Sequence, residues 1–526
     1  MTGRLIFRNV ELNGATHHDV AVTGFHLPDA RRPETPKLPR LPQRPQLPDA
    51  PLPRITEITD AGALRPTTTQ HDVVVDGQGG ALFRGFTDHH THLHALAAAM
   101  RSVDCGPPHV RTPEELATAL RQAARTLPPT TWIRGINYHE STAGPLTRAS
   151  LDALGATHPV RIQHRSGALW ILNSPALRTL GLDRPGDHPS GVETDASGHP
   201  TGRLWRLDAW LRDRLHRAGV PPTGLPDLTP VGHRYASYGV TALTDATPDL
   251  SDEAARHIAD ATRTGALPQR ITLLGRPTDA TPPTPPSQRH PAPPPNPHRI
   301  LQGPTKLLPP DHHPWPYDEL LSRITRARRG ANPAVAIHCV TREGLVLALA
   351  ALAEAGPPPP PHRDRIEHAA VVPPELLPEL AARRIIVVTQ PTLLTDRGDT
   401  YTRDVDPADL PHLYPYASLL RAGIAVALSS DAPYGDPDPW HTLRAARDRR
   451  TPAGRTLNPT ERVPTRTAFA ALTHPDPGAT TPRPLAPGDP ADLCLLHTPL
   501  REALAAPDHT LVRLTLANGL LVHGTP

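Results

Sequence analysis

The chain has 526 residues, 37% of them hydrophobic and only 4% aromatic, which suits one large domain with appendages or two domains, with a core of Ala, Val and Leu. Its 55 basic and 52 acidic residues are intermixed and leave a net charge of +3, so no basic stripe points to nucleic acid. Three widely spaced cysteines, Cys105, Cys339 and Cys494, make neither a disulfide framework nor a CxxC metal site, and no apolar run approaches the length of a membrane span.

Residues 4–23 alternate in short apolar stretches around a turn at Asn13-Gly14, which predicts paired strands. A Pro/Arg/Leu mixture over 28–53 predicts an extended loop, and strand character returns at 73–75. At the far end, 491–496 and 511–516 read as strands again, with a turn at Asn518-Gly519. Strand-rich ends predict a small composite β-sandwich domain built from 1–82 and 484–526. Between them, over 83–483, strands alternate with helical stretches such as 345–355 and 374–383. Core strands are expected at 85–92, 240–244, 271–274, 305–308, 335–339, 365–367, 385–389 and 424–429. Eight such strands close a (β/α)8 TIM barrel, so the fold class is α/β. Residues 100–235 carry strands of their own and read as an inserted subdomain, and 276–298 form a proline-rich loop. The N-terminus shows no apolar leader, and the expected compartment is the reducing cytoplasm.

Chemistry concentrates in the run Asp88-His89-His90-Thr91-His92-Leu93-His94. On a strand, Asp88, His90, His92 and His94 would share one face, and two imidazoles two apart can hold a divalent metal. In a chain with 30 histidines that pair alone is weak. Three further residues strengthen it: His338, His368 and Asp431 each terminate an apolar run, at the strand ends where barrel active sites are built. Taken singly, His338 could be a satisfied core histidine and Asp431 a helix cap. Lys306 also stands out, because arginine has replaced lysine everywhere except here and at Lys37. A buried lysine can lose its proton and react as a neutral amine, which arginine cannot do.

These motifs resemble those of the amidohydrolase superfamily of metal-dependent hydrolases. Gly85-Phe-Thr-Asp-His-His-Thr-His-Leu93 is similar to its strand-1 motif, and Gly303-Pro-Thr-Lys306 to the strand-4 motif that bears a carboxylated lysine. His338, Arg365-Ile-Glu-His368 and Ser430-Asp-Ala-Pro433 match strands 5, 6 and 8. Leu172-Asn-Ser-Pro-Ala-Leu177, Pro200-Thr-Gly202, Gly239-Val-Thr-Ala-Leu-Thr-Asp245 and Gln390-Pro391 resemble the large-insert branch that includes N-substituted formamide deformylase. Three departures stand against the pattern: Arg84 for a proline, Ser166-Gly167-Ala168 for Asp-Gly-His, and Arg206 near a position that often holds glutamate.

The resemblance implies two divalent ions, zinc by preference, held by His90, His92, His338, His368 and Asp431 and bridged by carboxylated Lys306. It implies hydrolysis of a non-peptide C–N bond, an amide or an N-formyl or N-acyl group, by a hydroxide between the metals, with Asp431 as proton shuttle. Tyr138, His139, Glu140, Arg165 and Gln390 are the expected substrate contacts. The partner is a small-molecule substrate, with no nucleic acid and no membrane, and a homodimer is compatible. Two rivals stay open: a mononuclear deaminase of the same superfamily, which needs no strand-4 lysine, and a catalytically silent barrel that acts by binding.

Overall fold

The computed structural model describes residues 3–12, 14–25, 53–64, 72–107, 109–128, 131–155, 157–220, 225–275, 300–310, 314–474 and 479–526. The loop expected over 28–53, apart from its last residue, and the proline-rich segment 276–298 lie outside the described residues.

Eight strands form one sheet in chain order: β1 (Phe86–Thr91), β2 (Val240–Asp245), β3 (Arg270–Gly275), β4 (Ile300–Leu307), β5 (Val335–Cys339), β6 (Arg365–His368), β7 (Ile386–Thr389) and β8 (Ala425–Leu428). Every neighbouring pair is parallel. The segment after β8 joins back to β1, where the Asp431 N–H donates to the His90 carbonyl and the His92 N–H to the Ala432 carbonyl, both at 2.8 Å. This is a TIM barrel. Its strands read as short Val/Ile/Ala/Leu runs because a parallel sheet is covered on both faces. Helices follow the strands, and local chemistry starts them. Thr341 Oγ1, for example, accepts the Gly344 N–H at 3.0 Å and caps Arg342–Ala355 directly after β5. The helix expected over 374–383 is a 3-10 turn, Pro374–Leu376, followed by Leu377–Ala382. Proline at 374 and 378 removes amides, which a helix tolerates only in its first turn.

The two chain ends meet in a pair of four-stranded sheets. One orders Arg54–Asp60, Ala15–Phe25, Gly3–Leu12 and Val73–Asp76; the other orders Leu520–His523, Val512–Ala517, Leu493–Leu496 and Leu82–Arg84. Period-two residues from both sheets fill one core, with Leu5 and Phe7 against Leu493, Leu495, Leu514 and Leu516.

His94–Pro226 is a separate compact unit, while Met1–Leu93 and Asp227–Pro526 form the other. Its six-stranded sheet orders Val192–Thr194, Pro200–Trp205, Leu169–Leu172, Val160–His164, Ile133–Tyr138 and Val103–Asp104. Separate apolar clusters use alternate residues of these strands: Val160, Ile162, Leu169 and Ile171 belong to one, Trp170, Leu172 and Leu204 to the other. The helix Thr229–Ser237 belongs to the barrel unit, where the Tyr235 hydroxyl donates to Asp88 at 3.0 Å.

Candidate metal centre

Strand ends on one rim of the barrel carry the polar residues. His90 is the penultimate residue of β1 and His92 follows the strand; Lys306 lies in β4, His338 in β5 and His368 in β6; Gln390 and Asp431 come just after β7 and β8. His368, Ala369 and Asp431 adopt left-handed backbone, with φ of 70, 46 and 57°. Each such residue costs about 1–3 kcal/mol, and this strain clusters at functional sites. His94, expected on the strand face with His90 and His92, instead lies on the helix Leu93–Ala99, because β1 ends at Thr91.

The side chains converge. Asp431 Oδ1 lies 3.2 Å from His92 Nε2 and 3.5 Å from His90 Nε2, while its Oδ2 is 3.9 Å from His368 Nδ1. Ring centroids are 4.9 Å apart for His90 and His368 and 4.7 Å for His338 and His368. Around this cluster a set of partners fixes the tautomers. Glu367, fully buried, accepts from His90 Nδ1, so the lone pair of His90 is on Nε2. Arg365 holds Glu367 with Nε at 2.8 Å and Nη2 at 3.1 Å and also donates to the His89 carbonyl at 2.9 Å. Gln390 donates to Ser429 Oγ at 2.9 Å, which turns its carbonyl oxygen toward His368 Nδ1, also 2.9 Å away, and so puts the lone pair of the neutral ring on Nε2. Gln390, expected to line the substrate pocket, is thus completely buried and occupied with His368 and Ser429. Asp88 is a backbone anchor, accepting from the amides of His90 and Ser430 and from the Tyr235 hydroxyl. Asp245 likewise accepts from the amides of Leu93 and Thr247.

Electrostatics favour ligand-competent forms. Burial, aided by the charge of Lys306, pushes His90 down to about 4, and burial holds His368 well below the usual histidine range. Burial also lowers Lys306 from its ordinary value, against the opposing pull of Glu367 and Asp431. Burial would raise Asp431, but the His92 hydrogen bond and the charges of His368 and His90 outweigh it and hold the carboxyl low.

The residues fit a metal. Lys306 Nζ and His90 Nε2 are both buried and make no hydrogen bond among the described residues. A native protein seldom leaves such atoms unsatisfied. Candidate ligand atoms of His90, His92 and Asp431 lie within 4.8 Å of one another. Imidazole nitrogens with carboxylate oxygens suit a divalent ion such as zinc.

Glu367 is the functional residue that sequence reading overlooked. The only signal was an Arg-x-Glu spacing that sets Arg365 and Glu367 on one face of a short strand. Glu367→Gln should weaken metal binding about 10–100-fold, the usual effect of losing a partner behind a ligating histidine. It should also cost about 3–5 kcal/mol of stability, since Arg365 is left buried without its counter-charge. Competitive chelator titration and thermal unfolding read the two effects; unchanged metal affinity would remove Glu367 from the site.

The remaining predicted contacts belong to the 94–226 unit. Tyr138 is buried, its hydroxyl donates to the Gly144 carbonyl, and burial raises it above the usual tyrosine range. Arg165 donates its N–H to the Tyr138 carbonyl at 2.8 Å. Glu140 accepts from His164 Nε2 at 3.0 Å. His139, Glu140 and His164 also bring ligand atoms within 4.8 Å. Their hydrogen bonds oppose a metal, however. His139 Nδ1 and His164 Nδ1 accept the amides of Ser141 and Ser166, each at 3.1 Å, so in each neutral ring the proton sits on Nε2. The departure at Ser166-Gly167-Ala168 therefore forms a hydrogen-bonded turn around His164.

Residues 73–523 match the family described as Amidohydrolase family. An N-substituted formamide deformylase of Arthrobacter pascens is 27% identical over 454 residues, 78% of this chain and 80% of that protein. The crystal structure of an uncharacterized metal-dependent hydrolase from Pyrococcus horikoshii OT3 superposes with a TM-score of 0.61 at 18% identity, covering 100% of both chains. A second, from Pyrococcus furiosus, gives 0.60 at 19% identity, over 94% of this chain and 99% of that one. At these identities the two structures establish the shared fold.

Proposed function

The chain belongs to the amidohydrolase family, hydrolases of carbon–nitrogen bonds other than peptide bonds, and from that premise we propose that it cleaves an amide, N-formyl or N-acyl bond of a small molecule. In this reading His90, His92, His338, His368 and Asp431 would hold two zinc ions, with a carboxylated Lys306 as a further shared ligand. The observation that carries it is the pair of buried atoms Lys306 Nζ and His90 Nε2, neither of which makes a hydrogen bond among the described residues. Such ions, when bound, would supply water ionised near neutral pH and polarise the carbonyl. Asp431 takes the proton of the attacking water and delivers it to the departing nitrogen. Glu367 and Gln390 keep His90 and His368 in the ligating tautomer. The likeness to a formamide deformylase supports N-formyl or N-acyl substrates. Glu140 and Arg165, partly exposed, are the proposed polar contacts from the 94–226 unit. We assign the barrel to 83–483 and the sandwich to 1–82 and 484–526, with the compact unit His94–Pro226 as the insert in place of the expected 100–235. A reducing compartment accords with three cysteines that are buried and unpaired with one another.

Zinc-reconstituted protein screened against N-formyl, N-acyl and cyclic amides, with products identified by mass, tests this. Amine release that stops on chelation is the expected result. No C–N cleavage across the panel, or ammonia released from an aminated heterocycle by protein holding a single ion, would contradict it.

A further inference from the structure

The 94–226 unit contains a guanidinium, that of Arg161, whose buried Nε makes no hydrogen bond among the described residues. Arg134 and Arg161 are register partners on adjacent parallel strands, so their side chains leave the same face of the sheet side by side. Trp170 pairs with Gln163, two residues beyond Arg161, and shares that face. The guanidinium carbons of Arg134 and Arg161 lie 5.4 and 5.3 Å from the Trp170 ring centre. Arg134 donates to neutral groups, Ser102 Oγ at 2.5 Å and Gln163 Oε1 at 3.1 Å. Arg161 differs: its Nε is buried and bonded to nothing among the described residues. Asp208, the acid that acts on it at a distance, is occupied by the Trp170 indole N–H at 2.8 Å. Burial, together with the like charge of Arg134, pushes Arg161 down to about 10, yet it stays protonated at neutral pH.

A cation–π contact returns less than it costs to take an ion out of water. The indole therefore offsets only part of the cost of placing Arg161 there, and a bound anion would offset the rest. A planar guanidinium fork next to a second arginine matches a carboxylate, which it can hold through two parallel hydrogen bonds.

We propose that Arg161 and Arg134, set against Trp170, form an oxyanion subsite that binds a small-molecule carboxylate. Anion binding at this subsite does not require the metal chemistry.

Full-length protein titrated with benzoate and with inorganic phosphate, against sodium chloride at the same ionic strength, tests the subsite by calorimetry, thermal shift and tryptophan fluorescence. Benzoate should bind saturably, raise Tm and perturb the tryptophan emission. Arg161→Met should bind benzoate at least ten-fold more weakly, with Tm in the absence of the anion unchanged or higher, because a charge whose burial is only partly offset has been removed. Arg161→Lys, which keeps the charge and loses the fork, should also bind more weakly than the native protein. A native response no greater than that to chloride, an equal response from Arg161→Met, or a lowered Tm in that variant overturns the proposal. Tighter binding of phosphate than of benzoate overturns the carboxylate assignment.

Discussion

Asp431→Asn should retain the fold while kcat falls about 10²–10⁴-fold, the range that a positioned general acid–base contributes. Asp431 is anchored through its backbone: its N–H donates to the His90 carbonyl, and its own carbonyl accepts the Tyr434 N–H, both at 2.8 Å. Asparagine is isosteric and among the few residues that accept a φ of 57° readily. The substitution therefore leaves the scaffold in place and removes only the carboxylate that faces His90 and His92. An amide cannot take a proton from water and pass it to nitrogen, so the loss belongs in kcat rather than KM. Steady-state kinetics on variant protein of checked metal content measure it. A kcat within a few-fold of native would remove Asp431 from proton transfer.

Lys306→Arg is the second large effect, with activity expected to fall more than about 10²-fold and metal content to fall with it, since arginine neither loses its proton nor forms a carboxylate on nitrogen. The change keeps one positive charge, so a lysine serving only as a cation should survive it. Lys306 is within reach of the charges of Glu367 and Asp431, is 3% exposed and makes no hydrogen bond among the described residues. Metal analysis beside kinetics separates the alternatives: full metal with full activity in the variant would end the bridging role.

The barrel was legible because its strands are short apolar runs that end in polar residues, and that pattern survives without an alignment. β5 begins and ends where the sequence predicts, at Val335–Cys339. β4 starts earlier than expected, at Ile300, because the exposed Leu301 and Gln302 do not read as part of a buried run. At the site, His90, His92, Lys306, His338, His368 and Asp431 could be nominated because each ends an apolar run or breaks a compositional rule. What orients them could not be. Glu367 meets His90 across 277 positions of sequence, and Gln390 meets His368 across 22. Local pattern carries no record of such pairings, which exist only once the strands have closed. Gln390 shows the consequence: its place after a strand suggested substrate contact, whereas its side chain holds a neighbouring imidazole.

Counting metal tests the proposed role of Lys306 most directly. Protein saturated with zinc, freed of excess ion and measured by inductively coupled plasma mass spectrometry should hold about two ions per chain, as two-metal hydrolases do. Lys306→Arg, treated in parallel, should hold fewer. One ion per native chain at saturation, with the same content in Lys306→Arg, would contradict the bridge and leave the lysine a buried cation.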